Sequence, residues 1–343
     1  MSFVKRLVLS ALTAPLITRP LRAVTAGTAT VFMLHRFRET ERGSLGYPVP
    51  VLRRVLDRLR RDRYHFLDLE ALAQGLARGE VPRESVVFTI DDGYLDQAEI
   101  GAPVFAEFDC PVTTFVTTGF LDRQLWFWWD RIEFVFQQTR RAALGVDLNG
   151  RRLEWTLDSP AARAAAQEDF TVRCKSVPDP EKHAAIARLA TDAEVELPVA
   201  APPAYAPMSW EQARRCEDGG MRFGPHTVTH PILSRTTDAV VAEELAGSWT
   251  RLQAEVRRPM PVYCYPNGGP EDFGAREIAI LSRLGLLGAV VGDPGYATPA
   301  RFRAGPEGPF RILRFDLPES LPHVVQCTAR IEHLKTLVRR KGA

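Results

Sequence analysis

The chain alternates short runs of β-branched and aromatic residues with stretches of helical periodicity, and this alternation limits its fold most strongly. Such a rhythm is typical of a parallel sheet wrapped by helices. We therefore expect an α/β protein, a βα barrel or a close relative of one. The predicted strands cover residues 28–34, 85–90, 111–117, 221–224, 261–265, 286–291 and 310–315. The predicted helices that follow strands cover residues 51–61, 238–257, 276–284 and 321–338.

The rhythm breaks between residues 121 and 207. This stretch is rich in alanine and charged residues and ends in the Pro/Ala tract 198–207. We interpret it as a helical insertion at the rim of the barrel. The predicted organisation is an N-terminal segment, 1–27, followed by a barrel over residues 28–343 that carries this insertion.

Composition excludes several classes of protein. With 343 residues, of which 45% are hydrophobic and 25% charged, the chain is ordinary globular material. Its formal charge of +2 gives no reason to expect a nucleic-acid partner. The five cysteines show no C-x-x-C spacing, which argues against a disulfide framework and against a thiolate zinc site.

The N-terminal segment has the basic pair Lys5 and Arg6, followed by an apolar stretch at 7–17 that Pro15 interrupts. The stretch is too short to cross a bilayer, and no clean small-residue cleavage site follows it. We expect a cytoplasmic protein whose N-terminal helix contacts a membrane peripherally. Export by a signal peptide stays the alternative.

Two short motifs carry the chemistry. His226 and His230 stand four residues apart between Pro225 and Pro231, directly after a predicted strand. The second motif is Asp91-Asp92-Gly93, at the end of another predicted strand. Either motif alone is more often structural, because H-x-x-x-H pairs and Asp-Asp-Gly turns are common. Because the ends of barrel strands are where active sites assemble, the combination favours a metal site.

The residue types in these motifs suit a zinc-like ion. Such an ion prefers imidazoles plus a carboxylate and leaves one position open for water, and bound water loses a proton near neutral pH. His226, His230 and one of Asp91 or Asp92 supply that set. Adjacent strand residues face opposite ways, so the second carboxylate is free to act as a base.

These motifs also resemble those of a known family. Phe88-Thr89-Ile90-Asp91-Asp92-Gly93-Tyr94 resembles the T-F-D-D-G motif of the polysaccharide deacetylases, and His226-Thr227-Val228-Thr229-His230 matches their H-[ST]-x-x-H motif. The lead-in at Ser209 to Gln212, which also fits a helix-capping box, matches too. The resemblance covers about residues 28–315, apart from the insertion, and it implies a distorted (β/α)7 barrel that removes acetyl groups from N-acetylated sugars.

The resemblance also assigns roles to residues. It implies that Asp91 is the general base and that Asp92, His226 and His230 hold the metal. It further implies that the backbone N–H near Tyr94 stabilises the oxyanion that forms during hydrolysis.

The third family motif, R-x-P-[YF]-G, reads Cys264-Tyr265-Pro266-Asn267-Gly268 here. Because Cys264 replaces the arginine, we expect the charge that orients Asp91 to be missing. Tyr265 and Asn267 are predicted to line the substrate groove, with a purely structural role in the turn as the alternative.

The catalytic acid has two candidates. Residues 32–36, Phe-Met-Leu-His-Arg, resemble an early Y-H-R segment in a branch of the family with permuted motifs, where the histidine takes the acid role. This points to His35. His323 is the weaker candidate, since no clear L-x-H motif surrounds it.

The sequence therefore predicts a zinc-dependent deacetylase that acts on an N-acetylated glycan or a glycan precursor, in envelope or exopolysaccharide synthesis. One alternative is a metal-dependent hydrolase of small amides on the same scaffold. Another is a sugar-binding protein without turnover, which the missing arginine would favour. The aromatic cluster at 126–129 is either a sugar-stacking surface, a membrane-interface contact or part of the packed core of the insertion.

Overall fold

The computed structural model describes residues 27–40 and 46–330. Its strands are β1 (Ala29–Leu34), β2 (Phe37–Arg38), β3 (Tyr47–Pro48), β4 (His65–Phe66), β5 (Ser85–Asp92), β6 (Val112–Val116), β7 (Ala143–Leu148), β8 (Arg151–Thr156), β9 (Met221–Pro225), β10 (Val262–Cys264), β11 (Gly288–Val290) and β12 (Phe315–Asp316). Its α-helices are α1 (Val49–Arg61), α2 (Leu69–Arg78), α3 (Ala102–Glu107), α4 (Thr118–Leu121), α5 (Trp128–Gln138), α6 (Pro160–Cys174), α7 (Asp179–Asp192), α8 (Trp210–Asp218), α9 (Asp238–Glu255), α10 (Ala275–Arg283), α11 (Pro299–Phe302) and α12 (Leu321–Thr328).

The main sheet is parallel and has the strand order β12-β1-β5-β6-β9, with β4 also beside β5. A second parallel ladder pairs β10 with β11. Isolated parallel bridges connect the two ladders, from Phe223 to Pro259 and from Val290 to Ile312. The predicted α/β class, with a parallel sheet wrapped by helices, is confirmed.

The central strand β5 is buried along its whole length. Because helices cover a parallel sheet, such a strand reads as a continuous apolar run rather than an alternating one. The strand extends two residues beyond the predicted end and therefore includes both Asp91 and Asp92. Its position between β1 and β6 places this pair of carboxylates in the middle of the sheet edge.

Helix α1 shows why the helical predictions succeeded. Its apolar positions Val51, Leu52, Val55, Leu56 and Leu59 are all buried, so one face of the helix packs on the core. The capping box of α8 is also present, with Ser209 and Gln212 each accepting a hydrogen bond from the backbone N–H of the other. This helix leads directly to β9.

The last predicted strand is shorter than expected. A 3₁₀ turn covers Gly308–Phe310, so regular pairing near residues 310–315 is limited to the Ile312 bridge and the two residues of β12. The final helix is observed as Leu321–Thr328, and its predicted continuation to residue 338 lies outside the described residues. Residues 1–26 of the predicted N-terminal segment lie outside them as well.

The region predicted as an insertion has a hydrophobic cluster of its own. Helices α5, α6 and α7 contribute buried residues to it, among them Phe136, Phe170 and Ile186. The antiparallel hairpin β7–β8, which the sequence reading missed, completes this cluster. Its turn is Asn149-Gly150 with φ angles of 52° and 73°, and this dipeptide is the strongest short-range signal of a hairpin.

In the part of the chain that the structure describes, no helix combines the length and apolar character that a bilayer crossing requires.

Candidate metal centre and active site

The backbone turns sharply where β5 ends. Asp92 and Gly93 have φ angles of 91° and 100°, in the region that favours glycine. A Cβ atom at Gly93 would also approach Leu121 Cδ1 to 2.5 Å. Both the conformation and the space therefore explain the glycine of this motif. The turn directs the two neighbouring carboxylates to different partners.

The loop after β9 carries the two histidines and is held by hydrogen bonds from several elements. Glu244 of α9 accepts from the backbone N–H groups of Val228 and Thr229 at 2.7 and 2.9 Å, and from Thr229 Oγ1 at 2.5 Å. Thr227 Oγ1 accepts from the His230 N–H at 2.9 Å. Gly119 N–H donates to the Val228 carbonyl at 2.9 Å. The loop is thus fixed by its own threonines and by two neighbouring elements.

Asp92, His226 and His230 converge. Asp92 Oδ1 lies 3.6 Å from His226 Nε2 and 3.7 Å from His230 Nε2, and the two nitrogens are 3.1 Å apart. Three ligand atoms around a tetrahedral ion, each at about 2.0–2.1 Å, would lie ~3.3 Å from one another. The donor set of two imidazoles and one carboxylate, together with this spacing, fits a zinc-like ion.

The rings are oriented for such a role. His226 Nδ1 donates to the Cys264 carbonyl at 2.8 Å, so its Nε2 is left without hydrogen and faces Asp92. Burial and the charge of His226 lower the pKa of His230 to about 3. For His226, burial also acts against the charged form, but Cys264 and Asp92 outweigh it and raise the pKa. The Asp92 carboxylate thus favours positive charge at this point, where a cation would sit.

Asp91 is held by an arginine that the sequence reading missed. Arg314 Nη1 and Nη2 donate to Asp91 Oδ1 and Oδ2 at 2.7 and 2.8 Å. Arg314 in turn donates to Thr89 Oγ1 at 3.0 Å and to the Val291 carbonyl at 3.1 Å. The prediction that Cys264 leaves Asp91 without an orienting charge is therefore wrong. The guanidinium comes from the segment before β12 instead of from the third motif.

The Asp91–Arg314 ion pair is buried, and it shifts the pKa of Asp91 strongly. Burial would raise the pKa of Asp91, but the charge and hydrogen bonds of Arg314 overcome this and hold the pKa well below its usual value. Cys264 Sγ lies 3.5 Å from Asp91 Oδ2 and 3.3 Å from Arg314 Nη2, so the thiol packs against the pair. Asp91, His226 and Cys264 could also form a metal-ligating group. Because Arg314 already occupies both Asp91 oxygens, the set that contains Asp92 is the better centre.

A cavity of about 520 Å³ opens over these groups and also receives His35, Tyr94, Tyr265 and Asn267. His35 Nε2 lies 3.9 Å from Asp91 Oδ2, and the His35 side chain is 49% exposed. His323 lies in α12 and is absent from the lining of this cavity. The geometry therefore favours His35 over His323 as the residue that faces the reacting groups.

The aromatic cluster at 126–129, called the aromatic wall below, lines the cavity through Trp128 and Trp129. Tyr94 Oη donates to Asp130 at 2.8 Å and accepts from Trp129 Nε1 at 3.0 Å. Trp129 stacks on Phe127 at 4.3 Å and meets His230 edge-on at 4.7 Å. The Tyr94 side chain is buried, although Tyr94 belongs to the lining of the cavity.

Tyr265 is buried beneath the cavity floor. Its ring stacks on Phe273 with centroids 3.8 Å apart, and its hydroxyl has no hydrogen-bond partner among the described residues. Asn267 is exposed and has a φ angle of 56°. The sequence reading assigned no role to Arg36, although this residue ends the segment that contains His35. It also missed a set of cavity-lining residues that no motif marks: Glu133, Gln167, Glu168, Thr171 and Lys175.

Comparisons with known proteins agree with this geometry. The family model described as "Polysaccharide deacetylase" matches residues 78–288. No curated protein sequence matches the chain.

Several solved structures resemble this one. The Streptococcus pyogenes deacetylase PplD, solved in complex with acetate, is 18% identical with a TM-score of 0.55, covering 88% of this chain and 98% of its own. IcaB from Ammonifex degensii is 18% identical with a TM-score of 0.52, covering 88% and 97%. BC0361, a polysaccharide deacetylase from Bacillus cereus, is 13% identical with a TM-score of 0.54, covering 88% and 69%. At these identities the likeness confirms the fold that the family resemblance implied.

Proposed function

The chain belongs to the polysaccharide deacetylase family, hydrolases of carbon–nitrogen bonds other than peptide bonds, and we propose that it removes N-acetyl groups from a glycan or a glycan precursor. The observation that carries this proposal is the meeting of two groups in one cavity. One is the Asp92, His226 and His230 set, and the other is the Asp91–Arg314 pair. Hydrolysis of an amide needs both an electrophilic centre and a base beside it.

We assign the metal to Asp92, His226 and His230, and we propose zinc as its identity. Two imidazoles and a carboxylate form a ligand set typical of catalytic zinc, whereas magnesium and calcium sites are built mainly from oxygen ligands. Such an ion supplies Lewis acidity towards a carbonyl oxygen and towards water. The hydrogen bond from His226 to the Cys264 carbonyl supports the assignment, because histidine ligands commonly donate their second nitrogen in this way.

Asp91 is the proposed general base. A base must be ionised at the working pH, and Arg314 ensures this by lowering the pKa of Asp91. The same pairing makes the carboxylate a weaker base but fixes its direction through two parallel hydrogen bonds. We infer that orientation, rather than basicity, is what Arg314 contributes to proton transfer.

His35 is the proposed acid that protonates the departing amine. It lies beside Asp91, lines the same cavity and is half exposed. Histidine is the side chain best suited to exchange a proton near neutral pH. We propose that the backbone N–H of Tyr94 donates a hydrogen bond to the oxyanion. The β-bridge between Tyr94 and Pro207 does not use this N–H, because its two hydrogen bonds come from the N–H groups of Leu95 and Met208.

Tyr265 and Asn267 are proposed to contact the substrate where they border the cavity. The cavity of about 520 Å³ is larger than a small amide requires. The binding-protein alternative depended on a missing arginine, and Arg314 removes that basis.

Acetate release from N-acetylglucosamine oligomers tests the proposal. Protein loaded with zinc should release acetate, chelator should stop the release, and added zinc should restore it. Asp91→Asn should lower kcat by a factor of about 10²–10⁴ while zinc still binds. Asp96→Asn is a poor control because Asp96 pairs with Arg36. The exposed Asp158, just after the β7–β8 hairpin, neither lines this cavity nor forms an ion pair with a residue that the structure describes, and it offers a matched Asp→Asn change. Release from small amides alone, or metal binding without any turnover, would contradict the proposal.

A further inference from the structure

A second cavity, of about 740 Å³, lies on the other side of the aromatic wall and is not explained by the proposed chemistry. It shares Trp128 and His230 with the active-site cavity and also includes Thr229 of the histidine loop. The two cavities therefore meet at the candidate metal centre. A ligand that is long enough can therefore occupy both cavities and pass the metal centre between them.

Besides His230, the lining of this second cavity contains three basic side chains, Arg131, Lys182 and His183, and one acidic side chain, Asp179. Lys182 is buried, pairs with Asp179 and lies over the Trp128 ring at 4.7 Å, so its charge is already neutralised. Burial, followed by the charge of Lys182, lowers the pKa of His183, which leaves that ring mainly neutral.

Arg131 differs from its two neighbours. It is half-buried, and its guanidinium has neither a carboxylate nor a hydrogen-bond partner within residues 27–40 and 46–330. Burial is the cause that lowers its pKa, with no acidic neighbour to raise it. A partly desolvated cation of this kind is unfavourable until an anion meets it. The cavity thus has one positive charge without a partner.

We propose that this cavity, called the basic cavity below, binds an anionic group of the glycan, a uronate carboxylate or a phosphate, on a sugar near the one that loses its acetyl group. The planar guanidinium of Arg131 matches either group through two parallel hydrogen bonds. The faces of Trp126 and Trp128 provide apolar surface for the sugar ring itself. This inference rests on the proposed function, because it assumes that the neighbouring sugar occupies the active-site cavity.

Position also favours an extended substrate over a free small anion. The basic cavity is open on the side of Pro198 and Val199, and Val199 is fully exposed. A chain that passes the metal centre can therefore leave through this side. Lys182 and His183 lie within the first two turns of α7, whose N-terminal end adds a partial positive charge.

Binding to protein that cannot turn over provides the test. Zinc-loaded Asp91→Asn protein is titrated calorimetrically with a hyaluronan tetrasaccharide, in which glucuronate alternates with N-acetylglucosamine, and with neutral chitotetraose. To test the phosphate, the same protein is titrated with N-acetylglucosamine 1-phosphate and with neutral N-acetylglucosamine. At least one anionic ligand should bind about tenfold more tightly than its neutral counterpart. The arm that shows the preference identifies the carboxylate or the phosphate as the natural group.

Arg131→Gln should remove that preference by weakening the anionic ligand about tenfold, with a change below about threefold for the neutral one. Arg131→Lys should retain part of it. Arg140→Gln is the matched control, since Arg140 is exposed on the same insertion and lines neither cavity. If Asp91→Asn does not fold, the ratio of KM values on zinc-loaded enzyme with native Asp91 gives the same comparison.

Equal affinity for charged and neutral ligands, or equal weakening of both by Arg131→Gln, would overturn the inference. Its failure is distinguishable from failure of the proposed function. Acetate release from chitotetraose without any anionic preference refutes only the basic cavity. A preference that depends on Arg131, without acetate release from any glycan, supports the basic cavity and refutes the deacetylase assignment.

Discussion

The two walls of the active-site cavity differ in how firmly their side chains are held. The barrel wall consists of residues at or near strand ends, and apart from the half-exposed His35 they are buried and hydrogen-bonded or ion-paired: Asp91, Asp92, His226, His230 and Arg314. Beyond the buried Trp128 and Asp130, the insertion wall consists of exposed or half-exposed side chains on α5, on α6 and directly after α6: Glu133, Gln167, Glu168, Thr171 and Lys175.

This difference separates chemistry from recognition. Groups that transfer protons or hold a metal must keep their geometry within a fraction of an ångström, and parallel strands with buried partners provide this. Groups that contact a sugar tolerate change, because each exposed hydrogen bond contributes little. We therefore expect substitutions in the barrel wall to affect kcat and metal affinity, and substitutions in the insertion wall to affect KM.

The largest effect is expected for Asp92→Asn. An amide is neutral and a poorer zinc ligand than a carboxylate, so the variant should lose most of its zinc affinity and about 10⁴-fold or more of its activity at limiting zinc. Calorimetric titration with zinc and acetate release at several zinc concentrations measure the two effects. Tight zinc binding by this variant would show that Asp92 is not a ligand and would undo the assignment of the barrel wall.

Arg314→Gln should have the next largest effect, on stability as well as on activity. It leaves the buried Asp91 carboxylate without its cation, which costs about 3–5 kcal/mol in the free energy of unfolding. It also frees the carboxylate to rotate, so kcat should fall by about 10²-fold or more. Urea denaturation and steady-state kinetics report these quantities.

Two further variants sharpen this prediction. Arg314→Lys keeps the charge but not the paired geometry, so it should recover stability better than kcat. Arg311→Gln, on the same segment but paired with Glu307, should change neither quantity appreciably. If Arg314→Gln lowers stability and leaves kcat intact, then the orienting role that we assign to this arginine is wrong.

Arg314 also shows where sequence reasoning ended. The convergence of Asp92, His226 and His230 was predictable because its signals are local, with adjacent aspartates on one strand and histidines four residues apart on one loop. Arg314 lies 223 positions from its partner Asp91, in a segment that carries no motif, and only the fold brings them together. The sequence showed that Cys264 departs from the family pattern. It did not show that an arginine from a different segment, Arg314, takes over the pairing with Asp91.

The insertion teaches a related point. Its helical content was predictable from composition, and the Asn149-Gly150 turn was a local signal that went unused. Its contribution to the cavity was not predictable, because the lining residues of α6 are ordinary polar side chains on an exposed helix face. Only their position opposite the barrel wall gives them a functional meaning.

Glu244 tests whether the barrel wall depends on support from outside the cavity. Glu244→Ala removes the three hydrogen bonds that hold the histidine loop, and we expect zinc affinity to fall about 10–100-fold. Glu244→Gln should lie between this variant and the native protein, since its amide oxygen can still accept from the backbone. Glu243→Ala is the control, because Glu243 is its exposed neighbour on the same helix. Unchanged zinc affinity in Glu244→Ala would mean that the loop holds its shape without α9.

The smallest effect is expected on the insertion wall, where two threonines form a matched pair. Thr171 and Thr191 each donate a hydrogen bond to the carbonyl four residues earlier in a helix, but only Thr171 lines the cavity. Thr171→Ala should raise KM by about two- to fivefold, the value of one partly exposed hydrogen bond, and leave kcat and zinc affinity unchanged. Thr191→Ala should alter none of these quantities, so a difference between the two variants isolates contact with the substrate from any effect on helix stability. A loss of kcat in Thr171→Ala would instead place the insertion among the groups that take part in chemistry, and the division between the two walls would no longer hold.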